Sequence, residues 1–152
     1  MPEDVSALAR FVGAWQIRFE MPGLPAGDGR TTFDWLMGQR YLVQHASADH
    51  PDAPDGHMII APDHRRGTGY LQHYFDSRGV VRLYEMDVDG QDWTLTRTTA
   101  DFTPLDFAQR WVSRFSDDAD TIEGRWETSP DGVDWRLDFR LTYRRSAGGG
   151  QG

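Results

Sequence analysis

The feature that most constrains this chain is an alternation of apolar and polar residues that runs, with short breaks, from Trp15 to Tyr143. A period of two puts every second side chain on one face of an extended strand, so each run reads as a half-buried β-strand. The breaks carry turn chemistry: Met37-Gly38-Gln39-Arg40, Asp76-Ser77-Arg78-Gly79, Asp89-Gly90, Asp117-Asp118-Ala119-Asp120 and Ser129-Pro130-Asp131-Gly132. About ten strands follow. Only the N-terminus departs from this pattern: Val5, Leu8 and Val12 recur at helical spacing after the capping candidate Asp4, and Gly13 can end the turn. One domain is expected over 1–145, with a disordered glycine-rich tail at 146–152.

Hairpin registers follow from the demand that apolar partners share a face. Across Asp117 to Asp120, Trp111 falls opposite Trp126 and Phe115 opposite Ile122, while Arg114 meets Glu123 and Arg110 meets Glu127 on the other face. Across Ser129 to Gly132, the consistent register sets Trp126 opposite Trp135, Gly124 opposite Leu137 and Ile122 opposite Phe139. Across Asp89-Gly90 it sets Met86 opposite Trp93, Tyr84 opposite Leu95 and Arg82 opposite Arg97, with Glu85, Asp87, Thr94 and Thr96 facing water.

A meander this long, with one apolar face and a single short helix to cover it, buries that face by closing into a barrel, which also removes the sheet edges. The expected fold is therefore all-β, a single up-and-down antiparallel barrel with a short N-terminal helix. At about ten strands the lumen is wider than side chains can just fill, so an internal cavity is expected. Gly124 and Ser113, small residues between tryptophans on the inner face, suit a wall that bends or leaves room.

Gly13-Ala14-Trp15 after a short helix, opening such a meander, resembles the calycin superfamily, in which a Gly-x-Trp near the N-terminus seats a tryptophan at the barrel base. Phe33-Asp34-Trp35-Leu36, His73 through Val80, Phe107-Ala108-Gln109-Arg110 and Trp135 through Tyr143 look like a bacterial lipocalin-like family of unknown function. The resemblance spans Leu8 to Arg145. It implies that Trp15 stacks with a C-terminal arginine, Arg144 or Arg145, at the base. The nitrobindins, a more distant branch, are similar in their Gly-x-Trp opening and hold haem through a histidine on a late strand. Here the histidines are His45, His50, His57, His64 and His73, none in the final third, so that ligand does not carry over. No cofactor is expected; haem on another axial ligand is a lesser alternative.

Several residues have types suited to a site. Tyr70, Gln72, Tyr74, Arg82, Tyr84 and Arg97 share one face of the middle strands, and with Trp35, Tyr41, Trp111 and Trp126 they make an apolar pocket with a few convergent polar groups. Arg82 or Arg97 can hold an anionic head bidentately. His45 is lumenal if Met37 to Gln39 form a three-residue turn, which also points Phe33, Trp35, Tyr41 and Val43 inward; a two-residue turn puts Gln44 there instead. His73 falls on the face opposite Tyr74. The segment Asp49 to His57 with Asp63-His64 holds metal-capable side chains without fixed spacing and reads as solvated loop, so no metal site is expected. Asp76-Ser77-Arg78-Gly79 is a tight turn with no helix after it, not a nucleophile elbow.

Composition narrows the chemistry further. The chain has no Cys, Lys or Asn, and a net charge of −8. Side-chain Schiff bases, thiolate attack and disulfides are excluded, which leaves His, Tyr, Arg and carboxylates. An acidic chain with dispersed arginines argues against nucleic acid as a partner. No apolar stretch of membrane length or signal peptide is evident, so a cytoplasmic monomer or homodimer without a membrane partner is expected. Two functions fit. One is binding of a small, mostly apolar ligand, optionally with an acidic head, in the lumen. The other is acid–base catalysis of an isomerase or cyclase type, with His45 as base and Tyr84 or Arg97 stabilising negative charge. The residue types favour binding.

Overall fold

Ten antiparallel strands close into one barrel in the computed structural model, which describes residues 5–49 and 53–146. They are β1 (Gly13–Glu20), β2 (Gly27–Leu36), β3 (Tyr41–Ala48), β4 (Gly56–Pro62), β5 (Tyr70–Asp76), β6 (Val81–Asp89), β7 (Asp92–Arg97), β8 (Ala108–Phe115), β9 (Thr121–Ser129) and β10 (Arg136–Arg145). Each strand pairs with its sequence neighbours, and β1 meets β10, with Ile17 opposite Tyr143, to complete the ring. The β1–β2, β3–β4, β5–β6, β7–β8 and β9–β10 connections therefore gather at one end and the remaining turns at the other. Among the described residues no helix is long and apolar enough to cross a membrane. The capping candidate Asp4 and the tail from 147 onward lie outside the described residues; Ser146 still donates its N–H to the Ala14 carbonyl at 2.9 Å.

A 3₁₀ helix (Val5–Phe11) plugs one end, burying Leu8 and Phe11 completely. Phe11 meets Phe33, Trp93 and Phe115 at ring-centroid distances of 5.2, 4.9 and 5.1 Å. The Trp15 indole donates to the Phe11 carbonyl at 2.9 Å, which ties the helix to the first strand. Of the two arginines considered for the base, Arg145 takes the role: its guanidinium lies 4.1 Å over the Trp15 ring and donates to the carbonyls of Val12, Arg10 and Ala119. Gly13 is required beside it, because its φ of +129° is strained for any side chain and a Cβ there would come within 3.0 Å of the Arg145 Nη1.

The β8–β9 hairpin takes the expected register, with Trp111 opposite Trp126, Phe115 opposite Ile122, Arg114 opposite Glu123 and Arg110 opposite Glu127. Two other registers differ from expectation. In β6–β7 the turn centres on Gly90-Gln91, with glycine in the first central position, so Met86 meets Leu95 and Val88 meets Trp93. Faces are preserved, but Arg82 is carried past the end of β7 and does not oppose Arg97. In β9–β10 the connection is longer and the register breaks between Leu137 and Phe139. Phe139 therefore pairs with Trp126, Leu141 with Gly124 and Tyr143 with Ile122, and the break at Asp138 turns Leu137 outward. Trp135 ends outside the barrel beneath the Arg110 guanidinium, 4.2 Å from the ring centroid.

Candidate ligand-binding site

The barrel encloses a cavity of about 1360 Å³ that opens among the loops at the end opposite the helix. Its floor is aromatic. Trp93 and Trp111 lie edge to face at 5.6 Å, and each meets Tyr143, at 5.9 and 6.0 Å. Trp111 reaches its place because position 124 is glycine: a Cβ there would stand 2.5 Å from the Trp111 ring and 2.6 Å from the Ser113 Cβ. Higher on the wall, Tyr84 packs between Trp126 and Tyr74, with centroids 5.5 and 6.2 Å away. Met58, Leu95, Phe139 and Leu141 complete the apolar lining, and Met21, Leu24, Pro54 and Phe107 border the mouth.

Neutral polar groups interrupt this lining, and most are satisfied by one another. Gln44 donates to the Thr31 hydroxyl at 3.1 Å, which in turn donates to the His45 carbonyl at 2.8 Å. The Tyr84 hydroxyl donates to Gln109 Oε1 at 3.0 Å, and Ser113 donates to the Trp93 carbonyl at 2.8 Å. Burial raises the phenols of Tyr84 and Tyr143 above the ordinary tyrosine range, and burial together with the Asp76 carboxylate does the same for Tyr74. All three stay neutral donors near neutral pH.

Formal charge is confined to the mouth, where Asp28, Asp49 and Asp138 line the cavity together with three arginines in different states. Arg78 is held by Asp76 at 2.6 Å. Burial raises the Asp76 carboxyl, but hydrogen bonds from Arg78, Tyr74 and two backbone N–H groups outweigh it and hold the pKa at about 2. Arg136 is exposed. Arg82 is half-buried, its guanidinium 5.8 Å from the Phe107 ring centroid, and among the described residues no carboxylate lies within ion-pair distance of it.

Of the residues the sequence nominated, Gln72, Tyr74, Arg82, Tyr84, Trp111 and Trp126 come together on the cavity wall. Trp35, Tyr41, His45 and Arg97 do not. Leu36 pairs with Tyr41, so the β2–β3 connection has four residues, Met37 to Arg40, and its even length gives the parity that points Gln44 inward. Gln44 is 2% exposed, whereas His45 lies on the outer surface, its ring 5.4 Å from that of His57. Tyr41 shares the outward face with His45, and Trp35 packs against the core at the closed end, below the cavity. Arg97 points inward but is committed elsewhere: its guanidinium binds Asp101 at 2.8 Å, the Thr103 hydroxyl at 3.1 Å and the Pro104 carbonyl at 3.3 Å. The lumenal amide is thus Gln44, the alternative to His45, and residues the sequence reading passed over include Gln109 and Tyr143. Gln109 and Tyr143 could have been found by extending the inward faces of β8 and β10 to the strand ends.

The acid–base alternative loses its base with His45 outside. Among the described residues no histidine lines the cavity: His45, His57 and His64 are exposed, and His73 sits on the outer face between Ile59 and Leu83. Among the described lining residues a haem iron finds no histidine ligand. No group of three His, Asp or Glu suited to a metal ion occurs among the described residues; His50 and Asp52 lie outside them.

Fold and site together define a ten-stranded antiparallel barrel with an internal cavity open at one end. The chain is similar to a solved structure, Rv2717c from M. tuberculosis, with a TM-score of 0.61 and 15% sequence identity, covering 94% of this chain and 97% of that one. The likeness is one of fold. No protein-family profile matches the chain, and no curated protein matches it.

Proposed function

We propose that this protein is a calycin-like binding barrel that holds a small, mostly apolar molecule in its lumen with an acidic head group at the mouth. The observation that carries the reading is Arg82, a half-buried guanidinium lining the cavity without a carboxylate partner among the described residues. The apolar walls supply the affinity, because burying hydrocarbon is worth about 25 cal/mol per Å² of area removed from water. The guanidinium adds charge-assisted hydrogen bonds and orients the ligand head outward. Arg97 does not compete for that head, since Asp101 already neutralises it.

Titration with decanoic acid and decanol, followed by tryptophan emission, tests this reading. Both compounds should give saturable changes, with the acid bound more tightly by the unmodified protein. Arg82→Gln should weaken the acid by roughly tenfold and leave decanol nearly unaffected, given the usual strength of a hydrogen bond to a charged group. Absence of a saturable change with either compound would overturn the proposal, and an Arg82→Gln protein that keeps the full preference for the acid would remove this arginine from it.

A further inference from the structure

On the outer wall, away from the lumen, two histidines face each other across adjacent strands. His45 on β3 is the register partner of His57 on β4, and both are exposed. Their strand neighbours Gln44 and Met58 line the cavity, so the alternation of a strand turns the two histidines outward. In sequence the stretch from Asp49 to His57 reads as solvated loop, but β4 opens at Gly56, and the barrel thereby fixes His57 beside His45. The ring centroids lie 5.4 Å apart with the planes tilted by 34°. Among the described residues neither ring takes part in a hydrogen bond or ion pair. The residues that flank the pair in its row, Thr32 and Phe75, carry no charge.

The separation is that of a chelate. A tetrahedral ion with metal–nitrogen bonds of about 2.1 Å, bound by ring nitrogens about 1.1 Å from their ring centres, holds two imidazole centroids about 5.2 Å apart. Exposed side chains turn about both χ angles, so each ring can bring a nitrogen to a shared ion. From this pairing we propose that His45 and His57 form a two-histidine site for a late first-row divalent ion of the zinc class, with water in the remaining positions. Neutral imidazole suits zinc, nickel and copper, whereas magnesium and calcium take oxygen ligands. Two protein ligands set the strength: about half the binding free energy of a four-ligand zinc site gives a dissociation constant between about 1 and 200 µM. The pair stands one step from the end of the β3–β4 ladder at Ala46 and Gly56, so a bound ion ties these two strands together toward the open end of the barrel.

Calorimetric titration of the full chain with zinc chloride tests this. One ion per chain should bind in that range, nickel should compete for the same site, and millimolar magnesium should not. His45→Gln and His57→Gln, each at an exposed position where substitution costs little stability, should each weaken uptake roughly tenfold or more. His64→Gln, at an exposed histidine outside the pair, should leave uptake unchanged. In spectra of the histidine-labelled protein, zinc should shift the ring resonances of His45 and His57 together and leave that of His73 in place. The Tm should rise in zinc for the unmodified protein and stay unchanged for either variant, because an ion that binds only the folded chain stabilises it. Uptake that survives His57→Gln, uptake matched by magnesium, or no saturable uptake below about 1 mM would overturn the proposal and leave two exposed rings in simple contact. The spectra use the unmodified protein, so they decide the matter even if a variant fails to fold.

Discussion

At the closed end of the barrel the Arg145 guanidinium lies 4.1 Å over Trp15 and is taken up by three backbone carbonyls, in a region where Leu8, Phe11, Trp15 and Phe33 are all 0% exposed. At the open end Arg82 stands half-buried beside Phe107 with no carboxylate among the described residues, and exposed apolar side chains such as Leu24, Phe102 and Val133 occupy the loops around it. One end commits its aromatic and cationic groups to closing the fold; the other pairs Arg78 and Arg97 with carboxylates and leaves Arg82 without one among the described residues. The difference supports the proposed binding at the open end: a side chain whose hydrogen bonds are already satisfied by the protein has little left to offer a ligand.

The largest expected effect lies at the closed end. Phe11→Ala should lower the unfolding free energy by about 3 to 5 kcal/mol, because its ring is completely buried among three other aromatics. Urea denaturation followed by far-UV circular dichroism reads this directly, and a loss below about 1 kcal/mol would mean the helix is not the plug described here. Arg145→Ala should cost roughly 3 kcal/mol through lost hydrogen bonds and the ring stack. Arg82→Gln should stay within about 0.5 kcal/mol in the same assay. Equal losses for the two arginines would erase the contrast between the ends.

Acid sharpens the comparison in a second way, because the two most strongly depressed carboxylates, Asp76 and Asp101, both lie toward the mouth. Burial raises the Asp101 carboxyl, but Arg97, the Leu83 N–H and the Thr103 N–H outweigh it and hold the group well below the usual range. Asp76 is held at about 2 by Arg78 and Tyr74. A carboxylate depressed in the folded state contributes stability above the unfolded pKa of about 3.9, and that contribution is lost as pH falls through the folded value. Stability should therefore decline from about pH 5 downward, with the loss complete only below about pH 2. Asp101→Asn should be less stable than the unmodified protein at pH 7 and show a shallower decline, as measured by denaturation midpoints across that range. The smallest effect is expected at the rim: Leu24→Ser, at a side chain 62% exposed, should change stability by less than about 0.5 kcal/mol.

The sequence made the strand count and the inward faces of β8 and β9 legible, because strict alternation flanks a turn rich in Asp and a wrong face would bury Arg110 or Arg114. Alternation is silent where two registers differ by an even number of residues, which is how Arg82 came to be expected opposite Arg97. It is also silent where a bulge separates two apolar residues, as at Asp138 between Leu137 and Phe139. The parity of the β2–β3 connection decided between His45 and Gln44, and no residue in Met37 to Arg40 announces whether three or four of them form the loop. Arg97 and Arg82 are alike in sequence; only the Asp101 carboxylate, four residues along a loop, separates a structural arginine from an available one.

The central claim is that the lumen receives an apolar acid. Trp93, Trp111 and Trp126 line the cavity, while Trp15, Trp35 and Trp135 lie outside it. A decanoic acid carrying a bromine on its chain quenches only the tryptophans it touches, so titrating it against tryptophan emission addresses the claim directly. The account predicts saturable, partial quenching that unlabelled decanoic acid reverses. Quenching that grows linearly without saturation and resists competition would contradict it.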